Sequence, residues 1–528
     1  MILFIHPPVA KPAEPPAGIA RLSGLLVRRG IKHRILDANL EGLLHLVGCS
    51  ERPPARHDAW TMRAFRRRDH NLALIKDPGS YHLIDRYKRT VRDLSRVLEV
   101  ASSQYGTNVG LANYQHESLS PLRSGDLIFA AERHELNPFY LYFKARLTEL
   151  MSEDRPLFIG FSLNYLSQAL CAFAMIGFVK REFPGVAILL GGGLVTSWIK
   201  GTAWNNPFSG LVDHFVAGPG EYQLSSILGI EAPEEKSHTP DYRSLPLKDY
   251  LSPGFILPFS TSSGCYWNKC SFCPEKAEGN DYVPIPPGAV ISDLSSLSEQ
   301  MDPVLIHLLD SAIPPSLMEA LSEKGPWVSW YGFARAGRHL TDLDFCKSLK
   351  RSGCVMLKLG LESGDQRVLD NMQKGIDLET VSRALKSLKK AGIGAYVYLI
   401  FGTPAETLAE ARKTLEFTTR HHDCIDFLNL AIFNMPVLSA GAAVQTRRFY
   451  EGDLSLYTDF LHPKGWNRKE VRAFIENEFK RHPAVSAILK KDPPVFTSNH
   501  APFFVMNFYR NSGSGLISLH DLTPPSSV

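Results

Sequence analysis

Near its start the chain carries an apolar run, ILFIH at 2–6, the pattern of a short buried strand. Prolines at 7, 8, 12, 15 and 16 hold the next loop stiff and extended, because each fixes φ and removes a backbone donor. Over 17–29 (AGIARLSGLLVRR) apolar residues fall at 19, 22, 25 and 26, one face of a helix, and Gly30 suits its C-terminal cap. Residues 33–37 (HRILD) read as a second strand. Strand, loop, helix and strand in this order form the unit of a parallel α/β sheet.

Between 50 and 150 no β periodicity remains, and helices are predicted near 82–100 and 138–150. This stretch reads as a mainly helical insertion. Its Arg63, Arg66, Arg67 and Arg68 read as a solvated helix face, with a phosphate or nucleic-acid contact as the alternative. The α/β pattern resumes with a strand at 157–163, an apolar helix over 166–182, and strands at 186–190 and 211–217. Gly218, Gly220 and Glu221 open a further helix. Open parallel sheets bind ligands beyond the carboxyl ends of their strands. The proline-rich loop with Pro8, the segment from Ser162, and the Gly191, Gly192, Gly193 turn lie at such ends, where glycines let a backbone approach a bulky ligand.

Residues 226–254 are polar and proline-bearing and read as a linker. From 255 the alternation becomes regular, with strands at 255–261, 303–309, 327–333, 354–360, 394–401 and 424–430 and helices between them. Six β/α units in this length make a partial barrel, since a closed eight-fold barrel takes about 250 residues. The expected fold class is therefore α/β. A Rossmann-like parallel sheet over 1–225 carries the insertion at about 50–150. A partial (β/α)6 barrel over 255–435 and a small, mostly helical extension over 436–528 follow.

Composition narrows the class of protein. With 44% hydrophobic and 21% charged residues among 528, the chain is globular rather than disordered or fibrous. A formal net charge of +4 is too weak to imply a nucleic-acid partner. No apolar run reaches the length of about 18 residues that spans a bilayer. The first residues lack the charged start and long apolar core of a secretory signal. The expected compartment is the cytoplasm, where the eight cysteines are reduced thiols or metal ligands.

The strongest chemical signal is GCYWNKCSFCPE at 264–275, which places Cys265, Cys270 and Cys273 in a C-x4-C-x2-C array directly after the first barrel strand. Three thiolates in nine residues suit a metal, since a disulfide would leave one over, and soft ligands suit zinc or an iron–sulfur cluster. Structural zinc needs a fourth ligand, and none is near in sequence: the next cysteines are 346 and 354 and the nearest downstream histidine is 307. The remaining alternative is plain packing. The other cysteines, at 49, 171, 346, 354 and 424, read as small buried hydrophobes.

At these residues the sequence resembles the radical S-adenosylmethionine (SAM) superfamily, most closely the subgroup with an N-terminal cobalamin (B12)-binding domain. The cysteine loop is one match. LGLESGDQRVLDNMQKG at 359–375 and YLIFGTPAET at 398–407 are two more. The fourth is the N-terminal pair of 7–39 with LLGGGLVTS and LVDHFVAGPGEYQL. The resemblance implies that Cys265, Cys270 and Cys273 ligate a [4Fe–4S] cluster whose open iron is chelated by SAM. It places Phe272 against adenine, Glu362 and Ser363 at the polar groups of SAM, and Gly402 and Pro404 in a backbone segment that receives adenine. It also implies cobalamin contacts from Pro8, Ser162, Gly191, Gly192, Gly193 and Glu221. Two departures stand out: the usual cluster spacing is C-x3-C-x2-C, and no D-x-H-x-x-G motif supplies a histidine to cobalt.

The chemistry so implied is reductive cleavage of SAM, hydrogen abstraction from an unactivated carbon, and methyl transfer through cobalamin. The protein positions the reactants and excludes water. Arg335 could pair with the SAM carboxylate and Asp310 could bind substrate or a cobalamin amide. A surface arginine and a capping carboxylate are the plainer readings. Tyr396 and Tyr398 read as packing, with a radical relay or substrate contact as the alternative, and His500 reads as a capping or surface residue of the tail, with a reach into the site as the alternative. The leading expectation is a cobalamin-dependent C-methyltransferase. The alternatives are a radical SAM enzyme of another type, cyclising or rearranging without a methyl-carrying cobalamin, and a zinc-bearing binding module. Expected partners are a small-molecule, lipid or peptide substrate and an electron donor such as flavodoxin or ferredoxin.

Overall fold

The computed structural model describes residues 1–48, 58–201, 204–231, 239–439, 444–447, 452–494 and 499–511. Cys49 and parts of the expected insertion, linker and tail lie outside these residues.

The N-terminal sheet is wholly parallel. Its strands are β1 (Ile2–Ile5), β2 (His33–Leu36), β3 (Phe158–Ser162), β4 (Ala187–Gly191) and β5 (His214–Val216), in spatial order β2-β1-β3-β4-β5. The order reverses between β1 and β3, the kind of switch point where such sheets open a ligand crevice. The apolar helix Leu166–Glu182 is buried along most of its length, which is why its sequence shows no polar face.

The insertion between β2 and β3 is mainly helical, with Ile84–Ser103 and Tyr140–Asp154 as its long elements. It also contains a small antiparallel pair, Thr107–Val109 with Tyr114–His116, absent from the sequence reading. Strands of three residues are too short for an alternation to register.

The second sheet has six parallel strands in consecutive order: β6 (Ile256–Phe259), β7 (Leu305–Leu308), β8 (Trp330–Ala334), β9 (Cys354–Glu362), β10 (Gly394–Phe401) and β11 (Phe427–Ile432). Side chains alternate across it. Trp330, Leu357 and Val397 face the outer helices, while Tyr331, Met356 and Tyr396 belong to the other core, inside the curve of the sheet.

The extension differs most from expectation. Besides the helix Arg468–Phe474 and its π-helical continuation Ile475–Phe479, it holds a three-stranded antiparallel sheet of very short strands and the helix Ala501–Asn511. His500, just before that helix, stacks on Tyr396 at 4.3 Å and meets Phe427 at 4.5 Å. Phe503 packs on Tyr81 and Tyr87 of the insertion. Tail and insertion together therefore close the amino end of the barrel, and Tyr396 and His500 are parts of that floor.

The described part of the expected linker is packed rather than free. Tyr242 and Tyr250 are buried, and the Tyr250 hydroxyl donates to Asp37 Oδ2 at 2.6 Å. Among the described residues no helix is long and apolar enough to cross a membrane.

Candidate functional site

The cysteine loop leaves the carboxyl end of β6 and is anchored at both sides. At its neck, Ser262–Ser263 pairs with Val283–Pro284. Asp310, just past β7, accepts from Thr261 N at 3.1 Å, from the Thr261 hydroxyl at 2.7 Å and from the Ser262 hydroxyl at 2.5 Å. Burial pushes the Asp310 carboxyl up while these donors hold it down. Asp310 thus fixes the path of the loop, the capping reading of this residue.

The far side of the loop docks on residues 372–375. Ser271 N donates to Met372 O at 2.9 Å, and Trp267 Nε1 to Gln373 O at 3.0 Å. The Trp267 ring occupies the space a side chain at Gly375 would need: an added Cβ would lie 1.9 Å from it, and φ there is +66°. Glycine is required at that position on both counts. The Arg335 guanidinium lies over the same indole, 4.1 Å from its centroid, and donates to the carbonyls of Lys374 and Gly375.

Cys265, Cys270 and Cys273 are all half-buried on this loop. Burial pushes the Cys270 thiol up, and the positive charges of Lys374 and Arg335 draw it back. Burial also raises Cys273, countered by the backbone N–H groups of Glu275 and Lys276. Among the described residues no three His, Cys, Asp or Glu side chains stand close enough to hold a metal ion. The loop therefore brings the sulfurs within electrostatic range of one another without closing them on a point. Three soft donors beside two cations suit a polynuclear anionic centre, since the cations offset thiolate charge. Cys346 and Cys354 are buried in the outer core and are not placed to complete a zinc site here.

β9 ends at Glu362, a buried non-glycine residue with φ of +68° beside a register irregularity between Gly360 and Glu362. Its carboxylate accepts from Lys374 Nζ at 2.7 Å, and that ammonium stands 5.7 Å from the centroid of the half-buried Phe272 ring. A strained carboxylate held by packing is typical of a functional position. The structure thus gathers Phe272, Arg335 and Glu362 around residues 372–375. Ser363 is apart from them: it is fully buried, and its hydroxyl meets Asp365 N and Thr414 Oγ1. Gly402, with φ of +81°, donates its N–H to Glu406 Oε2 at 2.5 Å. Around Pro404 the loop is clamped by the tail, His462 Nε2 donating to Thr403 O at 2.8 Å and Lys464 Nζ to Ala405 O at 2.5 Å.

A cavity of about 980 Å³ lies between the two sheets. Ser162, Gly191, Gly192, Gly193 and Glu221 line it on one side, and Gly264, Pro274 and Glu275 of the cysteine loop on the other. Its volume is at the upper end of the range of about 300–1,000 Å³ for cofactor sites. Among the described residues no histidine lines it. Hydrogen bonds join its walls, Ser197 Oγ to Glu278 Oε1 at 2.6 Å and Lys200 Nζ to Asn280 Oδ1 at 2.5 Å.

The glycines have unequal reasons. A Cβ on Gly192 would lie 2.4 Å from Leu163 O, so this glycine serves the strand–turn packing, whereas a Cβ on Gly193 would make only an ordinary contact, 3.8 Å from Asn164 Oδ1. Glu221 lines the wall with its carboxylate engaged by Arg21. Pro8 is buried and does not line the cavity.

Residues 259–418 match the family model of the Radical SAM superfamily, from the last residue of β6 into the helix Leu408–Arg420. The barrel is thus a radical SAM domain. Over 288 residues the chain is 26% identical to an uncharacterised methyltransferase of Pyrococcus horikoshii, covering 47% of this chain and 61% of that protein. Over 190 residues it is 27% identical to an anaerobic magnesium-protoporphyrin IX monomethyl ester cyclase of Rubrivivax gelatinosus, covering 33% and 34% of the two chains. The chain therefore spans less than two thirds of either relative. Among solved structures, the cobalamin-dependent S-adenosylmethionine radical enzyme OxsB, with aqua-cobalamin and S-adenosylmethionine bound, aligns with a TM-score of 0.51. That alignment covers 99% of this chain and 62% of OxsB at 14% identity, a likeness of fold.

Sequence reading missed Lys374 and Trp267, although both stand inside quoted motifs. For Lys374 the signal was its pairing with the acidic Glu362 of the same motif, which gains meaning only once the turn folds back. It also missed Glu14, His307 and Lys358, which meet inside the barrel.

Proposed function

We propose that this protein is a radical SAM enzyme that cleaves S-adenosylmethionine reductively and, with cobalamin, methylates an unactivated carbon. The observation that carries the reading is the cavity whose two walls are the carboxyl ends of the N-terminal strands and the cysteine loop. A methyl-carrying cofactor seated there would lie beside the residues that hold SAM.

Cys265, Cys270 and Cys273 would ligate a [4Fe–4S] cluster, with Arg335 and Lys374 offsetting its charge. When bound, the cluster supplies the electron that splits SAM, and cobalamin carries the methyl group. Glu362 offers a fixed carboxylate to the amino or hydroxyl groups of SAM, oriented by Lys374. Phe272 gives a flat apolar wall for adenine. Ser162, Gly193 and the serine and asparagine groups of the cavity would meet the polar periphery of cobalamin. The closed floor of the barrel keeps water from below. Electrons would come from a low-potential carrier such as flavodoxin or ferredoxin.

The test is anaerobic reconstitution of the full chain with iron, sulfide and hydroxocobalamin. About four irons per chain, bound cobalt, and formation of 5′-deoxyadenosine or S-adenosylhomocysteine under reductant support the reading. Iron and SAM turnover without bound cobalt would leave a radical SAM enzyme of another type. A colourless protein carrying one zinc would overturn both.

A further inference from the structure

Midway up the barrel lumen lies a polar cluster that the proposed chemistry does not use. Lys358 of β9 is buried, and its Nζ is 3.2 Å from His307 Nε2 of β7. His307 Nδ1 is in turn 3.0 Å from Glu14 Oε1, and Glu14 accepts from Lys11 Nζ at 2.8 Å. Glu14 and Lys11 belong to the proline-rich loop after β1, so the N-terminal domain reaches into the barrel. An ammonium only donates, which makes Nε2 the acceptor and puts the ring proton on Nδ1, facing Glu14. His307 stacks on Tyr331 at 4.3 Å with ring planes 8° apart. The Lys358 ammonium stands 4.9 Å from the Tyr331 centroid and 5.0 Å from that of Phe333.

Charge does not balance around Lys358. Lys11 and Glu14 offset each other, and burial holds His307 down to about 4, hence neutral near pH 7. Among the described residues no carboxylate stands within ion-pair distance of Lys358. Burial, then the nearby charge of Lys11, pulls its pKa down to about 7, with Glu14 opposing. A buried ammonium without a counter-ion is unfavourable, and an anion brought to it removes that cost.

The lumen above is reachable. Inward-facing Phe333, Gly360, Tyr398, Ile400 and Asn429 keep partial exposure, whereas Tyr396, the register partner of Lys358, and His500 stacked on it are buried and close the amino side. Lys358 and Gly360 lie two residues apart on the inner face of β9, and the Glu362 carboxylate and Lys374 ammonium lie over Gly360, where an added Cβ would come 2.8 Å from the Lys374 nitrogen. A molecule held at Lys358 would extend toward the SAM residues.

We propose that Lys358, oriented by His307 and Glu14, is the substrate-recognition residue of the barrel lumen, and that the substrate carries a carboxylate on an apolar or aromatic body. The ammonium pairs with the acid group, and the rings of Tyr331, Phe333 and Tyr398 flank the body. This rests on the radical SAM reading of the barrel.

The test uses the reconstituted full chain with SAM and a panel of aryl carboxylates, each with its matched primary amide and aryl phosphate, followed by saturation-transfer NMR. At least one carboxylate should bind tenfold or more tightly than its amide. That preference should vanish in Lys358→Met, persist in Lys358→Arg, and decline above pH 8 as the ammonium is lost. The titratable groups facing Lys358 are Lys11, Glu14, His307, Tyr331 and Tyr398, and Glu14→Gln should shift the pH dependence without abolishing the preference. Acids and amides binding alike, no binding by any member, phosphates preferred over carboxylates, or a preference surviving in Lys358→Met would each overturn the proposal. Iron content and SAM binding are read on the same samples. If both are absent the radical SAM reading fails, and if both are present without an acid preference only this inference fails.

Discussion

The Glu362 carboxylate and the Lys374 ammonium meet at 2.7 Å with less than a tenth of either side chain exposed, and Glu362 does so from a left-handed backbone. The pair ties the end of β9 to the turn on which the cysteine loop rests. Breaking a buried pair by removing one partner costs about 3–5 kcal/mol, because the other charge stays buried. Lys374→Ala should therefore lower the urea midpoint markedly and weaken SAM binding at least tenfold, while Lys374→Met, which keeps the stem against Phe272, should lose less stability. Equilibrium unfolding and calorimetric SAM titration measure the two effects. Equal midpoints for wild type and Lys374→Ala would count against a buried pair.

Replacing Cys265, Cys270 and Cys273 together with alanine should reduce reconstituted iron from about four per chain to background and abolish 5′-deoxyadenosine formation. The thermal midpoint of the iron-free protein should change little, because the three thiols are only half-buried. Iron analysis, product chromatography and a melting curve decide it. Retained stoichiometric iron would place the cluster elsewhere.

The cavity glycines separate a ligand effect from a folding effect. Gly193 lines the cavity and a Cβ there would meet only Asn164 Oδ1 at 3.8 Å, so Gly193→Phe should fill part of the cavity and cut bound cobalt at least tenfold while leaving cluster iron intact. Gly192→Ala meets Leu163 O from a backbone with φ of +111° and should instead destabilise the chain. Cobalt and iron analysis of the first and a melting curve of the second are the measurements. Normal cobalt in Gly193→Phe would dissociate this cavity from cobalamin.

Glu406 makes stability depend on pH. It is fully buried, one oxygen accepts from Gly402 N and the other has no hydrogen-bond partner, and burial raises its pKa to about 8. A carboxyl raised on folding stays protonated in the native state while the unfolded chain ionises from pH 4.5 upward. Its stabilising share is thus full below pH 4.5 and is lost as pH rises toward 8, a change on the order of a few kcal/mol. Glu406→Gln keeps the Gly402 bond and has no proton to lose. Its midpoint should equal that of wild type near pH 4.5 and exceed it by several degrees at pH 8.5. Parallel pH profiles for the two proteins would refute the assignment.

Much of the scaffold was legible because its signals are local. Each barrel strand is a short apolar run between turn residues, and the six runs reappear as β6 to β11 within a few residues. The cysteine triplet stood out by its spacing, and the 359–375 segment by its resemblance to the radical SAM superfamily. The hairpin at 107–116 and the short strands from 435 on escaped, since strands of two to four residues carry too little period. Ser363 illustrates a different limit. It adjoins Glu362 in sequence, yet the bend at the strand end turns it under the helix Leu408–Arg420, where it meets Thr414.

Sequence by itself determined the kinds of element, their order and the three thiols, because helix and strand periods and ligand spacing are written within a few residues. Tertiary structure alone decided which charges meet. Glu14 reaches His307 across 293 residues and His307 reaches Lys358 across 51. Such pairings follow from the curl of the sheet and the docking of one domain's loop inside the other, and no local pattern along the chain encodes either.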